Sequence, residues 1–436
     1  MQEPSSRTVF CADIKAMPQA ALLLTDIASD PNNLAALLEL QRLLLQRVRA
    51  RERFVLRIRK LERALRSRLR NRPIKEVARE INQSLRRCDE QIALARYSIF
   101  LWKTFGDGAA CVYQSPYNLK HLFYDQDYQV KQEAGFITGK EGFAREWAIL
   151  EHGIGAGVPV VLADLTNMIR YGDICALAGA DPVPLEVKIS KNSGARVARQ
   201  AQQLDELTAF YENDGAPQFR GLHNVTRHPV SDGPTYEKLM NDCVAHARVH
   251  GAASVSPEPG LHYVAATSAD ALDEHIGSLA GPTTLARLLT PTPNWLPCLP
   301  FTLTLKPENL IPFIAGSMAI VVLIDMEYLK GLFRNHGSHA TMMMDGTWAI
   351  QLCVNPENLL DGVVRVSELH FARVGLEFRS LLWFARDNAI TLRQEVSTIT
   401  DEELQALPAN TFWSEVPAEW TAVRDFYSIE NTMDCS

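Results

Sequence analysis

The chain has 436 residues, 47% of them hydrophobic and 22% charged, with a formal net charge of -7. Such a length exceeds one ordinary core and implies two or three domains, and the composition excludes a disordered or fibrous chain. The net charge excludes a uniformly basic nucleic-acid coat, yet Arg42 to Arg72 holds thirteen Arg or Lys against only Glu52 and Glu62. This stretch is a local basic stripe able to hold phosphates, while the acidic remainder limits indiscriminate binding.

Residues 1–32 form an N-terminal segment. With Glu3, Asp13 and no apolar run before Ala20, it lacks the charged start and apolar middle of a signal peptide, so a cytoplasmic protein is expected. From Asn33 to Arg70, Leu37, Leu44, Val48, Val55, Ile58, Leu65 and Leu69 recur at helical spacing. Asn71-Arg72-Pro73 interrupts the pattern, because proline disfavours helix in the residue before it and suits the start of a new one. A second stripe, Ile74, Val77, Ile81, Leu85, Cys88, Ile92, Ala95 and Ile99, runs to Gly106-Asp107-Gly108, which reads as a turn. Residues 33–105 are therefore expected to be a basic antiparallel helical hairpin or coiled coil, a means of pairing two copies.

A second domain is expected over 106–225. Its elements read as a helix from Gly139 to Gly153 with Phe143, Trp147 and Leu150 inward, then strands Pro159–Ala163, Gly172–Leu177 and Pro184–Ile189. A helix from Ala195 to Tyr211 follows, with Val197, Ala201, Leu204, Thr208 and Tyr211 on its inner face. Residues 226–436 read as a C-terminal mixed α/β domain without a motif, with a helix at Thr235–His250 and strands at Leu261–Ala266, Ala319–Ile324 and Trp348–Val354. The apolar run Leu310–Ile324 contains Pro312 and Gly316, is short for a membrane span, and reads as a buried helix or strand. The eight cysteines stand singly, which argues against a disulfide framework or zinc ribbon.

Chemistry concentrates between Asp173 and Lys188. Strand alternation puts Glu186 and Lys188 on one face, and the turn Gly179-Ala180-Asp181-Pro182 lets a hairpin return Glu186 to Asp173. Two carboxylates about 4 Å apart repel by roughly 4 kcal/mol at an effective dielectric of 20, a penalty that a cation removes. Hard oxygen ligands suit Mg²⁺ or Mn²⁺, with room left for water and a substrate phosphate. Lys188 beside them would steady the charge that builds on phosphorus oxygens. The bland alternative is a Glu186–Lys188 ion pair on a solvated sheet edge, worth under about 1 kcal/mol.

Tyr171-Gly172-Asp173 followed by Leu185-Glu186-Val187-Lys188 resembles the signature of the PD-(D/E)XK nuclease superfamily, with Gly172 where the family name has proline. The resemblance covers about residues 139–225. It implies a restriction-endonuclease-like αβββαβ core, metal ligation by Asp173, Glu186 and the Val187 carbonyl, and catalysis by Lys188. Glu146 matches the acidic residue that many members supply from the preceding helix, with Glu141 and Glu151 as alternatives. Arg196, Gln200 and Gln203 on the following helix would meet substrate phosphate. The expectation is a Mg²⁺- or Mn²⁺-dependent endonuclease acting on nucleic acid, DNA ahead of RNA, in restriction or anti-phage defence by analogy, and dimeric through the hairpin. Arg49, Arg53, Arg57 and Lys60 would guide nucleic acid to the site, although arginines flanking a leucine seam are also ordinary coiled-coil decoration. The competing expectation is a non-catalytic nucleic-acid- or protein-binding scaffold. Phe136 to Lys140 is too short for a phosphate loop, and His246 and His250 lack both the glutamate and the third ligand of a zinc protease.

Overall fold

The structure, a computed structural model, describes residues 11–187, 195–227, 233–357 and 362–398. It is mixed α/β and divides into two compact units, 1–229 and 230–436, with small antiparallel sheets in each.

In the first unit, α1 (Met17–Ser29) packs on a long hairpin of α2 (Leu34–Arg70) and α3 (Lys75–Tyr113). Asn33 starts α2 by accepting the Ala36 N–H at 3.2 Å, which satisfies one of the amides left open at a helix start. Leu37, Leu40, Leu44, Val48 and Val55 of α2 and Ile81, Leu85, Cys88, Ile92 and Ala95 of α3 are buried, and Val55 packs with Ile92 and Ala95 across the seam. Toward the tip it opens: Ile58, Leu65 and Leu69 are only half-buried, and Leu61 and Ile74 are exposed.

Gly106-Asp107-Gly108 is not a turn, for α3 runs through it to Tyr113. The glycine serves a close approach: a Cβ at Gly106 would collide with the Leu165 carbonyl. One residue on, the buried Asp107 carboxylate accepts the Asn167 and Met168 N–H groups at 2.7 and 2.9 Å and the Asn167 amide at 2.7 Å. Residues that punctuate a chain locally are used here to dock a helix on a loop.

Beyond the hairpin come α4 (Phe143–Gly155) and the meander β1 (Val160–Leu162), β2 (Ile174–Ala176) and β3 (Val183–Leu185). Its antiparallel register pairs Val161 with Cys175 and Ile174 with Leu185. Gln41 of α2 holds β1 from its open side, donating to Val160 O and accepting from Leu162 N, both at 2.9 Å. Strand β3 ends at Leu185, earlier than expected, so Glu186 is not placed by strand alternation. Gly172 has φ +73°, a conformation closed to proline, and a Cβ there would lie 2.8 Å from Leu185 N.

Next, α5 (Ala195–Glu212) precedes a separate two-stranded hairpin of β4 (Gly215–Phe219) and β5 (Leu222–Thr226). The α5 inner face differs from the expected one: Leu207, Phe210 and Tyr211 are buried, whereas Ala201 and Thr208 are exposed and Leu204 is half-buried. Val197 lies among side chains outside the described set. The helix docks through its C-terminal half, where Phe210 stacks on Phe219 with ring centroids 4.1 Å apart, and this stacking overrides the simple periodic reading.

The second unit centres on an antiparallel sheet of β6 (Ala252–Glu258), β7 (Leu261–Ala266), β8 (Thr284–Leu289) and β9 (Ala319–Asp325), in the order β6-β7-β9-β8. The Leu310–Ile324 run divides between a helix, Pro307–Ile314, and the buried β9. Three further strands, β10 (His339–Met342), β11 (Trp348–Cys353) and β12 (Val363–Ser367), form a second sheet. Among the described residues no helix is long and apolar enough to cross a membrane.

Burial raises the Asp107 carboxyl to about 6 despite its hydrogen bonds from Asn167 and Met168. A folded value above the unfolded one gives stability that is full at acid pH and is lost as pH rises through about 6. The thermal-unfolding penalty of Asp107→Asn should therefore shrink by about 1 kcal/mol between pH 5 and pH 7. A penalty independent of pH over that range would contradict the assignment.

Candidate active site

Four carboxylates meet beside a cleft of about 570 Å³ in the first unit; Asp164, Asp173 and Glu186 line it and Glu146 is buried behind them. Glu146 comes from the first turn of α4, Asp164 from the single 3₁₀ turn after β1, Asp173 from the residue before β2, and Glu186 from the residue after β3. Lys140 sits among them. Its Nζ lies 2.8 Å from Asp164 Oδ2, 3.0 Å from Asp173 Oδ1 and 3.0 Å from Glu146 Oε2. With all groups ionised, four carboxylates and one ammonium leave the cluster at a net charge of -3.

The sheet and one buried acid build this arrangement. Asp173 N–H donates to Leu185 O at 2.9 Å and its carbonyl accepts Ala163 N–H at 3.0 Å, which fixes the residue between β1 and β3. Asp173 Oδ2 accepts Val187 N–H at 2.9 Å, drawing the segment after β3 back over the site and setting Glu186 beside Asp173. On the other side, the buried Glu52 of α2 accepts Ile137 N–H at 2.9 Å and Thr138 N–H at 2.7 Å, pinning the turn that carries Lys140. Gly139 in that turn has φ +87°.

Electrostatics follow the crowding. Burial, then Asp173 and Asp164, raise the pKa of Glu146 against the opposing pull of Lys140. Glu186, although much of its surface meets solvent, is raised by desolvation and then by Asp173. Burial acts to lower the Lys140 ammonium, but Asp164, Asp173 and Glu146 outweigh it and its pKa is raised. The ammonium stays charged, and the carboxylates remain in excess.

The residues singled out from sequence distribute as follows. Asp173, Glu186 and Glu146 come together, whereas Glu151 lies apart in an exposed ion pair with Arg42. Val187 contributes its N–H to Asp173. Lys188 and the Arg196 side chain lie outside the described residues. Gln200 and Gln203 line the cleft; Gln200 reaches Glu186 at 3.4 Å, and Gln203 accepts from Lys131 Nζ at 3.3 Å. Arg49 stacks on Phe143, 3.8 Å from the ring centroid, and so knits α2 to α4. Arg53 and Arg57 are exposed and line a shallow groove with Leu56, which also forms part of the cleft wall. Lys60 is exposed.

Sequence reading missed Lys140, Asp164, Glu52 and Lys131. Lys140 carried a faint signal in Phe136–Lys140, and Asp164 one as an acid directly after a strand of Val and Leu. Among the described residues no group of three or more Asp, Glu, His or Cys side chains forms a ready metal cage. The point on which three carboxylates converge is held by the Lys140 ammonium. Their chemistry nonetheless suits a hard divalent ion: the donors are oxygens, negative charge is in excess, and the Asp173–Glu186 edge lines the cleft.

Removing the ammonium leaves Glu146 and Asp164 buried without it. Lys140→Met should destabilise the full chain by on the order of 3 kcal/mol, lowering the thermal midpoint by several degrees in metal-free buffer. A change within about 0.5 kcal/mol, the range of an ordinary surface substitution, would contradict this role. No protein-family model, curated protein or solved structure matches the chain.

Proposed function

We propose that the chain is a Mg²⁺- or Mn²⁺-dependent nuclease that hydrolyses phosphodiester bonds of nucleic acid, DNA before RNA, in the cytoplasm. One observation carries the reading: Asp164, Asp173 and Glu186 line one cleft together with the hydrogen-bond donors Lys131, Arg170, Gln200 and Gln203. Asp173 and Glu186 would hold the divalent ion, with the Val187 carbonyl as a further oxygen donor. Such an ion supplies Lewis-acid polarisation of the phosphodiester and lowers the pKa of the attacking water.

The protein groups then bind and orient. Gln200 and Gln203 present amides, and Lys131 an ammonium, to the non-bridging oxygens of a phosphate in the cleft. Arg53 and Arg57 sit one helical turn apart and make no ion pair among the described residues, so their charge is available to phosphates entering past Leu56. The half-open tip of the α2–α3 hairpin offers Leu61 and Ile74 to a second copy, and a dimer would bring two sites to one duplex.

A second reading, a non-catalytic binding scaffold, is favoured by one feature: Lys140 already forms ion pairs with three of the carboxylates. Supercoiled plasmid, linear DNA and RNA incubated with Mg²⁺ or Mn²⁺ separate the two. The nuclease reading expects cleavage that falls by at least about 10²-fold in Asp173→Ala and Glu186→Ala. Intact substrates with wild type and both variants, or cleavage that survives both changes, would count against it. Binding gives an independent check. In EDTA, Arg53→Ala with Arg57→Ala should reduce the slope of log affinity against log salt by about two for duplex DNA. An unchanged slope would remove these arginines from the path.

A further inference from the structure

Lys140 is anchored at its backbone, and its tip reaches the cleft. Glu52 fixes the turn through Ile137 and Thr138, and Lys140 N–H closes it on Ile137 O at 3.1 Å. The side chain is 26% exposed and lines the cleft. The ammonium donates to Asp164 at 2.8 Å and to Asp173 at 3.0 Å, and it pairs with Glu146 Oε2 at 3.0 Å. Two of these partners are committed to the interior, since the Glu146 and Asp164 side chains are 2% and 5% exposed. The third is shared. Asp173 is 18% exposed, gives Oδ1 to Lys140 and Oδ2 to the Val187 N–H, and faces the Glu186 carboxyl.

We propose that Lys140 is an exchangeable internal counter-ion of the site and that Glu52 is the residue that positions it. A divalent ion taken up between Asp173 and Glu186 draws Asp173 Oδ1 away from the ammonium. Glu146 and Asp164 keep hold of Lys140, and the released N–H turns into the cleft, where it can donate to a substrate phosphate. Without the divalent ion the same ammonium keeps the carboxylates from repelling one another, so the cluster persists in both states. No bond is made or broken; one hydrogen bond is exchanged for a metal contact. The inference rests on the proposed nuclease reading for the choice of a divalent ion, and its test does not use cleavage.

Mn²⁺ binding to the full chain, followed by the electron paramagnetic resonance of the free ion, measures the competition. Lys140→Met, which removes the competing charge, should bind Mn²⁺ about tenfold more tightly than wild type. Glu52→Gln, which keeps the ammonium but loosens its turn, should tighten binding by a smaller factor. Equal or weaker binding by folded Lys140→Met overturns the proposal. Wild-type protein supplies a readout that needs no variant to fold: acetylation by a lysine reagent, mapped by mass spectrometry. Lys140 should react several-fold faster with saturating Mn²⁺ than without it, while the exposed Lys60 should not change. Mn²⁺ bound with no change at Lys140 overturns the exchange and leaves the metal-dependent reading in place. If neither wild type nor Lys140→Met binds Mn²⁺, both fall.

Discussion

One ammonium among buried carboxylates is the constraint on which the first unit depends. Glu146 and Asp164 are almost wholly removed from water, and like charges so placed repel strongly unless a cation is supplied. Lys140 supplies it from a turn rather than from a strand or helix, which makes that turn's position decisive. Elements far apart in sequence are accordingly recruited to hold it and the strands around it. Glu52 of α2 grips the turn, Gln41 of the same helix completes the edge of β1, and Asp107 of α3 fixes the loop between β1 and β2.

The hairpin is therefore more than an appendage to the carboxylate cluster. Its base is part of the site's scaffold, and its charges divide by role. Arg49 stacks on Phe143 and Arg59 lies over Phe136, so both join α2 to the chain around Lys140. Arg53 and Arg57 face outward. By composition the stripe is one charged surface, whereas packing converts part of it into structure and leaves part exposed.

Much of the architecture was legible from periodicity. The mixed α/β class, the two long helices and the order of helix and three strands around Asp173 follow from local pattern, because burial on one face imposes spacing. The meeting of Asp173 with Glu186 was legible from the turn at Gly179–Pro182. What local pattern could not carry was anything set by tertiary contact. Lys140 lies 24 and 33 residues from Asp164 and Asp173, and no spacing rule links them. Gly106-Asp107-Gly108 has the composition of a turn, and only the Leu165 backbone explains why a helix keeps it. The inner face of α5 shifted because one aromatic stack outweighed a weakly apolar stripe. Gly172, which departs from the proline of the resembled signature, suits the observed backbone, since its φ is positive.

The central claim is that the Asp173–Glu186 edge takes a divalent ion while Lys140 remains beside it. Anomalous diffraction from crystals grown with Mn²⁺ tests this most directly. The account predicts a peak about 2.0–2.2 Å from carboxylate oxygens of both Asp173 and Glu186, with Lys140 Nζ retained by Glu146 and Asp164 and withdrawn from Asp173. Density without such a peak at saturating Mn²⁺, with Lys140 still bridging all three carboxylates, would contradict it.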